Sequence, residues 1–161
     1  MNYPHDFYKA ITYNDDETVT VTYSNIHSYH WERIKEHSST LSEAGIGPMI
    51  YRISEDHHAI TYQYVNVFSW PICHPTLTNA QVANKAREMV RYMHDELDIA
   101  HTDLAPSNVG YIGEHIYFID HDELLKISEG ITPWTQHLME LNEATTFEQL
   151  LNTDYRRFDK W

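Results

Sequence analysis

None of the five glycines in this chain precedes Gly45. A glycine-rich turn that brings backbone N–H groups close to phosphates is therefore excluded from the first strands. Cys73 is the only cysteine, which rules out an internal disulfide and a zinc–thiolate cluster. A reducing, cytoplasmic setting fits, and the ordinary place for a lone cysteine is a buried or half-buried packing position. Basic residues are few, 11 against 24 acidic ones, for a formal charge of −13. Such a surface repels phosphate backbones and argues against nucleic acid as a partner, while remaining compatible with a protein partner. No apolar run approaches the roughly 18 residues of a membrane-spanning helix. Residues 1–6 are polar and acidic, so the protein is expected to be soluble and not secreted.

Aromatic residues, in contrast, are plentiful: 12 Tyr, 5 Phe and 4 Trp in 161 residues, enough for a packed globular core. The length suits one domain, or two small lobes sharing a hinge. Residues 7–13 and 18–23 are rich in β-branched and aromatic side chains around the turn-forming 14–17, which predicts a hairpin. Residues 26–44 take a helical pattern that Gly45 stops. Strands are predicted over 49–53 and 59–67, then a connector over 67–77 with Pro71 and Pro75. Thr78 is an N-cap candidate for a helix ending near Leu97, with Val82, Ala86, Met89, Val90 and Met93 on one face as core. Two short strands, 109–112 and 115–119, precede helices near 134–142 and 147–151. The tail 155–161, with Arg156, Arg157, Phe158 and Trp161, either docks a partner or packs back on its own domain. The class implied is α+β, a sheet-bearing part followed by a mainly helical one.

The most specific feature is His101-Thr102-Asp103-Leu104-Ala105-Pro106-Ser107-Asn108, followed by an apolar strand that ends at Asp120. Asp, Pro, Ser and Asn are common turn formers, so Asp103 to Asn108 alone is a weak signal. The preceding amphipathic helix, the fixed spacing and the apolar-apolar-Asp terminus together make a stronger one. Phosphoryl transfer requires a nucleophile held in line and phosphate charge neutralised. In that chemistry Asp103 accepts the attacking hydroxyl's proton. Asn108, after a loop that turns back, offers its amide oxygen to a metal, and Asp120 bridges Mg²⁺ to phosphate. His101 braces the loop.

This pattern resembles the catalytic loop of the protein-kinase-like superfamily, closer in flavour to its atypical and small-molecule branches. Thr102 stands where regulated protein kinases have Arg, and Asp120-His121-Asp122 is similar to the endings seen in aminoglycoside and choline kinases. Residues 44–51 resemble the passage from the regulatory helix into the next strand. Gln63, Tyr64 and Val65 fall where such kinases have a nucleotide-binding hinge. The resemblance implies a truncated two-lobe fold: a small β-rich N-lobe over 1–66, a hinge over 67–77 and a reduced helical C-lobe over 78–161. It implies ATP and Mg²⁺ as cofactors, catalytic roles for Asp103, Asn108 and Asp120, and metal binding by Asn108 and Asp120. Trimmed cores of this kind occur in viruses, phages and bacterial effectors, which would place the protein in a host cytoplasm.

The chain departs from the family where phosphate is usually held. No glycine-rich loop exists, and in residues 19–22 Thr22 takes the place of the usual lysine. Glu32 and Glu36, one turn apart, are candidates for the missing lysine's usual glutamate partner, or else solvated helix charges; Lys9 on the first strand is the candidate substitute cation, or else an ordinary edge lysine. Two functions stay open. One is a minimal Mg-ATP phosphotransferase with weak, unusual or partner-dependent activity on a protein or small molecule. The other is a pseudokinase that binds or inhibits a partner. A Mg²⁺-dependent hydrolase or nuclease is a third reading, which the negative charge disfavours.

Overall fold

The computed structural model describes residues 7–161, so the polar segment 1–6 lies outside the described residues. The chain is α+β and divides into two compact units, one extending to Val65 and the other spanning Asn66–Trp161.

In the first unit β1 (Tyr8–Tyr13) and β2 (Thr18–Ser24) form the hairpin that their β-branched and aromatic residues predict. Asn14 closes the turn, its Nδ2 donating to the hydroxyls of Thr18 (3.0 Å) and Thr20 (2.9 Å). Helix α1 (Ser28–Glu43) follows, then β3 (Ile50–Ser54) and β4 (Ala59–Gln63). The sheet is antiparallel in the order β1-β2-β4-β3. Helix α1 ends where Gly45 adopts φ +74°, letting the Ile46 and Gly47 amides donate back to the Leu41 carbonyl. Alternation decides what the sheet buries. Tyr23, Ile60 and Tyr62 pack with Ile26, Trp31 and Ile34, and Val21 and Ile50 lie against them. Thr18, Thr20 and Thr22 alternate with those positions and face away from α1, where Thr20 and Thr61 share a hydroxyl bond of 2.9 Å.

The second unit holds β5 (Asn66–Val67), α2 (Asn79–Asp95), β6 (Ile99–Ala100), β7 (Val109–Ile112), β8 (His115–Phe118), β9 (Leu125–Lys126), α3 (Pro133–Leu141) and α4 (Phe147–Arg156). A three-stranded sheet runs β5-β7-β8, and β6 pairs with β9. Thr78 caps α2 in a full capping box with Gln81. Val82, Ala83, Ala86, Val90 and Met93 are its buried face, whereas Met89 is half-buried. Val82, Val90 and Met93, withdrawn from water, contribute about 1.5–3 kcal/mol each before entropy is counted.

Several boundaries differ from the sequence pattern. The strand expected over 59–67 breaks after Gln63, and its last two residues form β5 in the other unit by pairing with β7. Residues 67–77 therefore pack within the second unit and are not a free connector. His74 holds them there: its Nδ1 accepts the amides of Thr76 and Leu77, and its Nε2 donates to the Gly113 carbonyl at 2.7 Å. Cys73 is exposed, because buried neighbours Ile72 and His74 take the inward positions on either side. The last helix runs on to Arg156 instead of stopping near Leu151, since Leu150, Asp154 and Phe158 keep an inward face going. The tail thus packs back on its own unit: Phe158 is 1% exposed and stacks near Phe118 at 6.3 Å.

Candidate functional site

Asp103 lies on a loop whose backbone is fixed from several directions. His101 is fully buried. Its Nδ1 accepts the Asp103 N–H at 3.2 Å, which places the ring proton on Nε2, and Nε2 donates to the Ile119 carbonyl at 2.8 Å. The imidazole thereby ties the loop to the residue before Asp120, the bracing role expected of it. Asn108 closes the loop from the other end. Its Nδ2 donates to the Asp103 carbonyl (2.8 Å) and to Asp103 Oδ2 (3.0 Å). The 3₁₀ turn Pro106–Asn108 lets the chain come back far enough for this. The Asn108 carbonyl then accepts the Ile119 N–H at 2.9 Å. Ile119 is thus held at both backbone groups, and Asp120 follows it directly.

Asp120 is half-buried with φ +64°, a left-handed conformation that Asp tolerates better than most residues. Beyond it His121 is buried and donates from Nε2 to the Phe118 carbonyl at 2.8 Å. The sequence-predicted trio Asp103, Asn108 and Asp120 is in this way brought onto one connected framework within the second unit.

The anchor of that framework is a residue the sequence does not advertise. Asp154 on α4 is completely buried and accepts three bonds. They come from the His101 N–H (2.8 Å), the Thr102 N–H (2.7 Å) and His94 Nε2 (2.8 Å). A buried carboxylate is tolerated only with such partners, and consecutive backbone amides are among the strongest. Thr102, where the resembled family carries Arg, is buried with φ +69°, and its hydroxyl donates to the Glu123 carbonyl at 3.1 Å. Burial, then the Asp95 and Asp154 carboxylates, push the neighbouring Tyr155 phenol above its usual range, with Arg91 opposing. A lone Asp late in a terminal helix looks like any solvated charge in sequence; only its i+4 relation to the inward Leu150 hinted at burial.

The donor set of Asn108 and Asp120 suits Mg²⁺, a hard cation that takes oxygen ligands and keeps several waters. Both Asn108 N–H bonds are spent on Asp103, which turns the amide oxygen away as the atom left for a cation. Among the described residues no group of three or more His, Cys, Asp or Glu side chains forms a metal site by itself. A cation held here would complete its shell with water and phosphate oxygens.

The expected nucleotide-contacting residues all belong to the first unit. Lys9 is half-buried on edge strand β1, opposite Tyr23 and therefore on the α1-facing side of the sheet. Thr22, expected in the lysine's place, faces the opposite side, so no cation from β2 points toward α1. Glu32 is taken by Lys35 at 2.9 Å, and Lys35 also binds Glu55 at 2.6 Å, while Glu36 is exposed. The helix carboxylates thus behave as surface charges. In the expected hinge, the Gln63 amide donates to the Met49 carbonyl (2.8 Å) and the Tyr64 amide to the Glu17 carbonyl (3.1 Å). That leaves Val65 as the one of the three whose N–H has no partner among the described residues.

No protein-family model matches the chain, and no curated protein matches it either.

Proposed function

We propose that the chain is a minimal protein-kinase-like phosphotransferase that uses Mg-ATP, with a small β-rich N-lobe and a reduced helical C-lobe. The observation that carries this reading is the Asp103–Asn108 bond pair, joined through Ile119 to Asp120. Support for the reading is that Asp103 and Asn108 share one hydrogen-bonded loop to which the segment carrying Asp120 is tied, an arrangement compatible with in-line transfer. An acceptor hydroxyl attacks the γ-phosphorus as its proton passes to Asp103. The bond to the β–γ bridging oxygen breaks, and ADP leaves. Asn108 and Asp120 would hold Mg²⁺, which would neutralise charge on the phosphates. Within the first unit, Lys9 is the proposed phosphate-binding cation, and Gln63, Tyr64 and Val65 are the proposed nucleotide-binding hinge residues. The acceptor is a small molecule or a protein hydroxyl, and the setting is cytoplasmic.

The alternative is a pseudokinase acting through a bound protein partner. It is favoured by one specific feature: Val21 and Tyr23 fill the α1-facing side of β2 where a phosphate-binding lysine would be useful.

Thermal-shift titration with ATP, with and without Mg²⁺, separates the two. The phosphotransferase reading expects stabilisation growing as RT ln(1 + [L]/Kd). Asp120→Ala should remove its Mg²⁺-dependent part, and Asp103→Ala should stop transfer while sparing binding. Absence of any shift at millimolar Mg-ATP rules out nucleotide use by this chain.

A further inference from the structure

The second unit contains a cavity of about 590 Å³ that the proposed chemistry does not use, walled by Trp70, Pro106, Arg156, Arg157, Lys160 and Trp161. Its construction follows from the end of α4. The helix passes into the 3₁₀ turn Arg157–Lys160, which sends Phe158 inward and leaves Arg156, Arg157 and Lys160 exposed. Trp161 is propped edge-on by Phe158 (ring centroids 4.8 Å) and Phe68 (5.8 Å), so its indole is a fixed wall. Trp70 forms another wall and is 65% exposed.

The charge here runs against the rest of the molecule. Only 11 of 161 residues are Lys or Arg, in a chain of net charge −13, yet three of them converge on one cavity. None of the three is ion-paired among the described residues. Of the two lining carboxylates, Asp159 is drawn to Arg87, whose Nη2 donates to its Oδ1 at 3.1 Å, and Glu143 is exposed. Unpaired guanidinium groups between aromatic walls have a definite ligand chemistry. The guanidinium fork takes a carboxylate or phosphate through paired bonds, and indole faces take a flat or apolar body. It is a partly open cleft whose volume falls in the range of small-molecule sites.

We infer that this cavity binds a small organic anion, a carboxylate or phosphate carried on a ring that also bears a hydroxyl, and presents that hydroxyl as the phosphoryl acceptor. The acceptor role rests on the phosphotransferase reading above; the binding does not. The link between them is Pro106, which lines the cavity and sits on the loop between Asp103 and Asn108. Pro106 thus makes one wall of the cavity part of that loop.

The test uses the whole chain and follows tryptophan fluorescence during titration with phenyl phosphate, benzoate, benzyl alcohol and inorganic phosphate. Phenyl phosphate and benzoate should quench saturably, benzyl alcohol should not, and inorganic phosphate should bind more weakly than phenyl phosphate. Arg157→Gln, at an exposed position, should weaken phenyl phosphate by about ten-fold, the loss of one charge-assisted contact. Trp70→Ala, on a separate segment, should weaken it as well. Failure of phenyl phosphate to saturate by millimolar concentration, or affinity unchanged in both variants, overturns the inference. Asp120→Ala serves as the control and should leave phenyl phosphate binding intact. If phenyl phosphate binds and Mg-ATP gives no thermal shift, the pocket stands and the phosphotransferase reading falls. The reverse result removes the pocket and keeps that reading.

Discussion

Asp154 accepts the backbone N–H of Thr102 at 2.7 Å across a separation of 52 residues, with both side chains fully buried. Thr102 holds φ +69°, an unusual conformation for a β-branched residue that costs about 1–3 kcal/mol and persists only where neighbours over-determine it. The paired acceptance of the His101 and Thr102 amides by one carboxylate, with the Thr102 hydroxyl on Glu123, supplies that over-determination.

Replacing Asp154 with Ala should therefore destabilise the second unit by about 2–5 kcal/mol, because two buried backbone N–H groups lose their acceptor at about 1–3 kcal/mol each. His94→Ala, which removes one of three donors to the same carboxylate, should cost less, about 1–3 kcal/mol. Urea denaturation followed by near-UV circular dichroism measures both. Equal, negligible costs would mean the anchor is not where the loop's stability resides.

At Asn108 the order of two substitutions reports the direction of the amide. Asn108→Ala loses both bonds to Asp103, a cost of about 1–2 kcal/mol. Asn108→Asp turns an acceptor toward the Asp103 carbonyl and carboxylate, so without Mg²⁺ it should be the less stable of the two. Adding Mg²⁺ should narrow the gap. A more stable Asp variant in metal-free buffer would overturn the assigned amide orientation.

The first unit carries its own pH dependence at Lys35 and Glu55. Glu55 is lowered below the usual carboxylate range, first by the Lys35 hydrogen bond and then by Trp31 Nε1, which donates at 2.9 Å. Lys35 is raised: desolvation, the largest single influence, lowers it, but the bonds to Glu55 and Glu32 outweigh that. The signs give a window. The carboxylate's contribution is present above its unfolded pKa and is lost as pH falls through the folded value. The ammonium's contribution is present below its unfolded pKa and is lost as pH rises through the folded one. Lys35→Met should therefore lower thermal stability at neutral pH, and the difference from the native chain should shrink in acid. A difference constant from pH 7 to pH 3 contradicts this.

Phe158 tests the packing beneath the loop. Its ring stacks on Phe118, which lies edge-on to His101 at 6.3 Å. Phe158→Ala should cost about 3–5 kcal/mol, as for other buried Phe truncations, and should raise amide exchange at residues 101–103.

Much of the framework was legible in the sequence because it is written in local patterns. β-branched and aromatic residues mark β1 and β2, the inward spacing of Val82, Ala86, Val90 and Met93 marks α2, and Thr78 marks its start. The Asp103–Asn108 loop is legible as a turn because Asp, Pro, Ser and Asn are turn formers at that spacing. What escaped depends on distant partners. β6 and β9 are two residues each and exist only through one another. Residues 67–77 look like a connector because the bonds of His74 to Gly113 cannot be seen locally. Asp154 and the cationic cavity escaped for the same reason, since neither has meaning until α4 is placed.

That placement also fixes an order of events for a chain made from its N-terminus. While α3 is being synthesised, α2 and the β7–β8 hairpin already exist, but the acceptor for the His101 and Thr102 amides has not yet been made. The newborn protein thus carries Asp103 and Asn108 on a loop still bonded to water. That loop acquires its native geometry only on closing a contact 52 positions long, the kind of non-local step that slows folding.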